Sequence, residues 1–193
     1  MKHYRVRYSG QRFQVVQKER AVGSSCWEFV SHPGSVVILP MVDRDRICLI
    51  KNHRWALDET LYELPAGTLN EGENPLQAAQ RELKEETGYH ADTWEEWADF
   101  YTSPGILDER MHLFVATGLT SGQMQLEPYE RIEPVVVSRD TAFRWIASRK
   151  IRDAKTLVGL LFYQVTQSGT IQPQAEKTLN KPPISAKFKE KGR

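Results

Sequence analysis

The sequence predicts an α/β fold in which a mixed sheet lies between helices, with a small antiparallel β region at the N-terminus. Three observations predict it. Short apolar runs separated by turn residues occupy residues 11–64, one well-capped helix follows, and further strands then precede two more helices. Because strands and helices do not alternate one for one, a doubly wound parallel sheet does not fit.

Five strands are predicted before the first helix, each rich in β-branched or aromatic residues and bounded by turn signals such as Gly23 and Asp43. The predicted strands are 11–18, 25–31, 35–39, 46–50 and 61–64.

The first helix carries the clearest start and stop signals in the sequence. Asn74 can cap it, Pro75 suits the first helical position, and Gly88 suits the left-handed position just past the end. Apolar residues at helical spacing predict one side that packs in the core: Leu76, Ala79 and Leu83.

Strands resume after this helix and are followed by two further helices, the last of which can be capped by Asp153. The predicted strands are 94–102, 111–117 and 135–137, and the predicted helices are 139–148 and 154–166. We therefore divide the chain into an N-terminal β region (1–34), a main domain (35–167) and a flexible basic tail (168–193).

Composition excludes several classes of function. The 26 basic and 25 acidic residues leave a formal net charge of +1, which does not favour a nucleic-acid partner. Cys26 and Cys48 cannot form a disulfide framework or a CxxC metal motif. The apolar stretch at 36–42 is too short to span a bilayer. We expect a cytoplasmic protein that binds neither nucleic acid nor membrane.

Three carboxylates on the first helix indicate a cation site. Glu82 and Glu86 are four residues apart and project from the same face, with Glu85 beside them. Like charges at this spacing destabilise an isolated helix by a few tenths of a kcal/mol. A divalent cation would reverse the sign of that effect, and Mg²⁺ prefers carboxylate oxygens.

The spacing around these carboxylates is more specific than a charged helix face. Five residues separate Gly67 from Glu73, and seven more separate Glu73 from a run that extends from Arg81 to Tyr89. This pattern resembles a complete Nudix box, and the resemblance extends over about residues 10–166. It implies an α/β/α sandwich and a magnesium-dependent hydrolase of nucleoside diphosphates linked to another group, with Mn²⁺ as a possible substitute.

The resemblance also implies roles for individual residues. Glu82 and Glu86 correspond to the principal metal ligands, and Glu85 to a further ligand or a ligand of a metal-bound water. Arg81 can pair with Glu85 and hold the carboxylates in place. The Ala66 carbonyl corresponds to another metal ligand.

The surroundings of the box resemble ADP-ribose pyrophosphatases. The matching features are the Pro-Ala-Gly step at Ala66, the stretch that contains Arg54, and Pro104 fifteen residues beyond Tyr89, followed by Gly105. The resemblance implies that Arg54 binds the diphosphate or the terminal ribose and that the Pro104 loop contacts substrate.

Two N-terminal aromatic residues correspond to positions that stack on adenine in this group, often across a homodimer with swapped N-terminal strands. They are Trp27, which matches by its neighbours, and Phe13, which matches by spacing. The alternative is ordinary packing within strands.

A general base must come from outside the box, because the box glutamates bind metal. By resemblance it lies before the strand at 132–137, where Glu130 is the best match and Glu127 and Glu133 are alternatives. The predicted reaction converts ADP-ribose to AMP and ribose 5-phosphate. The alternatives are another nucleoside-diphosphate sugar, such as GDP-mannose, and a nucleotide-sensing domain without turnover.

Overall fold

A computed structural model describes residues 4–10, 13–19 and 26–171. Its strands are β1 (Tyr4–Ser9), β2 (Gln14–Glu19), β3 (Cys26–Ser31), β4 (Ser35–Pro40), β5 (Arg46–Arg54), β6 (Glu59–Glu63), β7 (Ala66–Thr68), β8 (Tyr89–Tyr101), β9 (Arg110–Ser121) and β10 (Ile132–Ser138). Its helices are α1 (Pro75–Thr87), α2 (Arg139–Ala147) and α3 (Ala154–Gln167).

The strands form three sheets in the described parts of the chain. The N-terminal sheet has the order β1-β2-β3 and is antiparallel. A second antiparallel sheet has the order β10-β5-β6. The third has the order β7-β4-β9-β8 and is mixed, because β4 and β9 run parallel while the outer pairs are antiparallel.

The central strand β4 is buried on both faces. Val36 and Ile38 belong to the apolar cluster that includes Ala79 and Leu83 of α1. Val37 and Leu39 point the other way, into a larger cluster that includes side chains of β5, α2 and α3. Helix α1 therefore covers the mixed sheet on one side, and the second sheet with α2 and α3 covers it on the other, which confirms the predicted α/β/α sandwich.

The structure confirms the predicted start and end signals of α1. The Asn74 side chain accepts a hydrogen bond from the Gln77 N–H, Pro75 begins α1, and Gly88 ends it with φ 73°. Leu76 differs from the expectation, because its side chain is 39% exposed. The buried arc of α1 is centred near Ala79, so Leu76 lies at its edge in the first turn.

The structure also corrects the N-terminal part of the prediction. Strand β1 had no predicted counterpart, although Tyr4, Val6 and Tyr8 alternate there with polar residues at the period of a strand. No described helix is long and apolar enough to cross a membrane. The predicted tail lies mostly outside the described residues, which end at Ile171, just after α3.

Candidate metal and diphosphate site

Helix α1 buries two of the three predicted carboxylates. Glu82 is 8% exposed and Glu86 is 3% exposed. The Ala66 N–H donates a hydrogen bond of 2.9 Å to Glu86 Oε2, so β7 is fixed directly against the acidic face of the helix. The predicted ligands Glu82, Glu86 and Ala66 thus lie together.

Gly67 permits this close approach. A Cβ atom at position 67 would lie 1.9 Å from Glu82 Oε1, which is far inside van der Waals contact. Any side chain there would displace the Glu82 carboxylate. The glycine at the start of the box is therefore required by the space that Glu82 occupies.

Arg81 connects the parts of the box more extensively than the sequence predicted. Its guanidinium donates to Glu82 at 2.6 Å and to Glu85 at 3.0 Å. It also donates to Glu73 at 2.9 and 3.0 Å and to the Thr68 carbonyl at 3.0 Å. The Arg81 guanidinium therefore joins α1 to the end of β7 at Thr68 and to Glu73, which precedes the helix. Glu73 thus helps to hold the box together.

The electrostatics of the two buried carboxylates fit a cation site. Burial raises the pKa of Glu82 to about 7; Arg81 opposes this change, and the charges of Glu85 and Glu130 add to it. Burial also raises the pKa of Glu86, and the charge of Glu82 raises it further. The two adjacent carboxylates are thus buried, and the nearby cationic side chains do not fully compensate their negative charge. A hard divalent ion would supply the missing positive charge.

The protein side chains supply only part of a coordination shell. Among the described residues, no three His, Cys, Asp or Glu side chains converge as a preformed metal cluster. Glu85 is directed to Arg81 rather than to Glu82 and Glu86. Backbone carbonyl, water and substrate oxygens would complete the shell, as they commonly do for Mg²⁺.

A cleft of about 320 Å³ lies beside this face, and its lining includes Ala66, Gly67, Arg54 and Lys155. The Arg54 guanidinium is close enough to Glu86 that each charge affects the pKa of the other. The predicted diphosphate-binding residue therefore lines the same cleft as Ala66, and Ala66 in turn contacts Glu86 of the acidic face.

Sequence reasoning missed the acidic and basic residues that surround Arg54. Glu63 accepts hydrogen bonds from Arg54 and from Lys155, and Lys155 also pairs with Asp153. Glu109, which also lines the cleft, accepts hydrogen bonds from Ser35 at 2.6 Å and from Thr102 at 2.8 Å. Glu63 lies 92 residues from Lys155, and Glu109 lies 74 residues from Ser35, so no local spacing could reveal these two pairings.

Glu130 lies in the loop 122–131 between β9 and β10. Its charge contributes to the raised pKa values of Glu82 and Glu86, which locates it near the acidic face. Its carboxylate accepts a 2.9 Å hydrogen bond from the Glu127 N–H. Of the two alternatives, Glu127 is exposed, and Glu133 pairs with Lys51 at 3.0 Å on the surface of the second sheet.

Trp55 holds this loop from the turn between β5 and β6. Its indole N–H donates to the Tyr129 carbonyl at 3.3 Å, and the Arg131 guanidinium lies 4.6 Å from the centre of its ring. The His53 N–H donates to the Arg131 carbonyl at 3.2 Å. The residues on both sides of Glu130 are therefore anchored.

Four predicted substrate contacts lie outside the lining of the cleft in the described residues. Trp27 is 56% exposed on β3, and Phe13 is 42% exposed just before β2. Pro104 and Gly105 are exposed in the loop between β8 and β9. That loop is joined to β3, because the Val30 N–H donates to the Ile106 carbonyl at 2.8 Å.

Comparisons with known proteins agree with this arrangement. The model of the NUDIX domain matches residues 31–160. The chain is 38% identical to an ADP-ribose pyrophosphatase of Bacillus subtilis over 73% of this chain and 77% of that protein. It is 35% identical to a methanol dehydrogenase activator of Bacillus methanolicus, with the same coverage of each chain.

A solved structure described as an ADP compounds hydrolase superimposes with a TM-score of 0.71, covering 87% of this chain and 93% of that one at 20% identity. The chain belongs to the Nudix family, as the complete box predicted. Nudix hydrolases generally need a divalent metal ion, which agrees with the chemistry of the buried carboxylates.

Proposed function

We propose that this chain is a magnesium-dependent hydrolase that cleaves the diphosphate of ADP-ribose to give AMP and ribose 5-phosphate. One observation carries the proposal: the buried pair Glu82 and Glu86 contacts β7 at Ala66, and Ala66 lines the same cleft as Arg54. A carboxylate pair for a cation and a guanidinium for phosphate oxygens are what diphosphate hydrolysis requires. The similarity to an ADP-ribose pyrophosphatase supports this substrate.

Glu82, Glu86 and the Ala66 carbonyl would hold Mg²⁺, for which Mn²⁺ could substitute, and Glu85 would bind it directly or through water. A bound ion would neutralise charge on the diphosphate oxygens. Arg81 keeps the carboxylates oriented through its contacts with Glu82 and Glu85.

Glu130 acts as the general base in this proposal. Its position near the acidic face supports the role, and Glu133 is less suitable because it is paired with Lys51 on the surface. The carboxylate takes a proton from the attacking water, and the water oxygen bonds to one phosphorus. The bond from that phosphorus to the bridging oxygen breaks, and the other phosphate leaves with the bridging oxygen.

The remaining contacts involve the N-terminal region 1–34, which we propose to be a dimerisation element of a cytoplasmic homodimer. The exposed rings of Trp27 and Phe13 would stack on adenine, and the loop at Pro104 and Gly105 would contact the substrate. The exposure of Trp27 and Phe13 supports this arrangement, because it leaves aromatic surface accessible to a ligand or a second copy.

A panel of nucleoside-diphosphate compounds at equal concentration tests the substrate. We expect kcat/KM to be highest for ADP-ribose, with AMP as a product that chromatography detects. A preference for a guanine nucleotide sugar such as GDP-mannose would reject the proposed substrate while leaving the diphosphate chemistry intact.

A further inference from the structure

Glu63 is an acidic side chain without any exposed surface, at the end of β6 and close to the proposed diphosphate site. Its two oxygens accept hydrogen bonds from Arg54 Nε at 2.8 Å and Nη2 at 2.5 Å. Lys155 Nζ donates to the same carboxylate at 2.5 Å. A buried carboxylate held by two cations is costly to desolvate and needs a reason to be retained.

Lys155 is itself fixed by α3. Its ammonium lies 2.9 Å from Asp153, the N-cap of that helix. The other Asp153 oxygen accepts from the Thr156 N–H at 3.0 Å and from its hydroxyl at 2.6 Å. The Thr156 hydroxyl oxygen in turn accepts from the Leu64 N–H at 2.8 Å, so the start of α3 is joined to the residue that follows β6.

The geometry of Arg54 shows what this arrangement achieves. Arg54 pairs in register with Glu59, whereas Glu63 pairs with Ile50, so the Arg54 side chain extends back along the hairpin to reach Glu63. Glu63 engages Nε and Nη2 of the guanidinium. In the described parts of the chain, Nη1 has no protein acceptor, and Arg54 lines the cleft.

We propose that Glu63, supported by Lys155 and Asp153, is a positioning residue that sets the direction in which Arg54 presents its free N–H groups to a diphosphate. Carboxylate and guanidinium are planar and pair through two parallel bonds, so the pair fixes orientation as well as distance. The charges of Arg54, Glu63, Lys155 and Asp153 sum to zero. The network therefore orients Arg54 without adding net charge to the cleft.

The inference relies on the proposed function only for the ligand of Arg54. Glu63→Gln keeps the shape of the side chain but replaces one acceptor oxygen with an amide donor facing two cations. We expect KM for ADP-ribose to rise about 10- to 100-fold, the scale expected from a small misplacement of a binding group, with a smaller change in kcat.

Arg54→Lys should give a similar rise in KM. The KM of the double variant should not exceed the higher of the two single-variant values, because both changes remove the same oriented guanidinium. Additive losses from Arg54→Lys and Glu63→Gln would overturn the proposal. So would an unchanged KM in a folded Glu63→Gln protein.

A second variant protects the test against misfolding. Lys155→Met retains Glu63 and its bonds to Arg54, and should raise KM by a smaller factor. If Glu63→Gln does not fold, an unchanged KM in Lys155→Met overturns the proposal. Asp45→Asn, which breaks a surface pair with Arg139 of 2.8 Å, is the ion-pair control and should leave KM unchanged.

The two possible failures are distinguishable. If the wild-type protein does not hydrolyse ADP-ribose, the proposed function fails, and the same variants are measured on the preferred substrate of the panel. If wild type is active and the Glu63 variant matches it, the positioning role fails and the proposed function stands.

Discussion

Helix α1 and the loop 122–131 carry the two halves of the proposed chemistry, and they are built in opposite ways. The helix is capped at both ends, and the proposed metal ligands Glu82 and Glu86 belong to its buried face. The loop lacks regular secondary structure, and Glu130 is held through its neighbours by tertiary contacts with the β5–β6 hairpin.

The two regions are joined to each other at one end. The Gln125 N–H donates to the Glu85 carbonyl at 3.0 Å, and a Cβ at Gly88 would lie 2.8 Å from the Gly122 carbonyl. The comparison shows that a metal platform can be fixed by local structure, whereas a base opposite it depends on distant contacts. Substitution of the carboxylates of α1 should therefore abolish activity, and substitutions in or around the loop should reduce it only in part.

The largest effect is expected at Glu86. Glu86→Gln should abolish metal-dependent release of AMP, because it removes one charge of the buried pair. The fold should remain intact, since burial already disfavours the charged form of Glu86. Activity is measured by AMP release and folding by thermal unfolding in a chelator. Glu19→Gln, an exposed change on β2, is the control, and unchanged turnover in Glu86→Gln would contradict the metal assignment.

Glu130→Gln should reduce kcat about 10²- to 10⁴-fold, the usual contribution of general-base catalysis. Metal affinity should change little, because the helix is untouched. Glu127→Gln and Glu133→Gln are matched controls in the same segment. If one of them shows the large loss instead, the base is that residue.

A smaller effect tests how the loop is held. Trp55→Leu removes the indole N–H that donates to Tyr129 and the ring that Arg131 covers, so kcat should fall about tenfold through misplacement of Glu130. Thermal stability should change little, because Trp55 is 57% exposed. Leu57→Ala in the same turn is the control. A Trp55→Leu protein with wild-type kcat would show that the loop is positioned by other contacts.

The last effect concerns stability, and not the rate of reaction, in the absence of divalent metal. The folded protein binds a proton at Glu82 with a pKa of about 7, raised from the ordinary 4.5, so the folded state holds more protons between these values. The free energy of unfolding should therefore fall as pH rises from 4.5 to 7, by on the order of 3 kcal/mol for this group.

Chemical denaturation in a chelator at several pH values measures this dependence. Glu82→Gln should flatten it, and added Mg²⁺ should oppose the loss at neutral pH. Stability that rises with pH over the same range in the chelator would contradict the raised pKa of Glu82.

The sequence predicted best those features whose partners are near in the chain. Asn74, Gly88 and the spacing of Glu82 from Glu86 all act within α1, so the helix and its acidic face could be derived. The role of Trp55 in holding the loop and the pairing of Glu63 with Lys155, which is 92 residues away, depend on how strands and helices pack. No period or local motif encodes such contacts.

Strand β4 shows how the positions of the site residues depend on strand register. In most half-buried strands, a slip by one residue would expose apolar side chains, and that cost fixes the pairing. Both faces of β4 are apolar, so this protection is weak, although Val36 must lie opposite Gly67 for Glu82 to fit. Polar contacts at one end act as a stop: the Gly34 carbonyl accepts from the Leu69 N–H at 3.0 Å, and Ser35 bonds Glu109. The alignment of the proposed metal site is thus secured at the end of a buried strand.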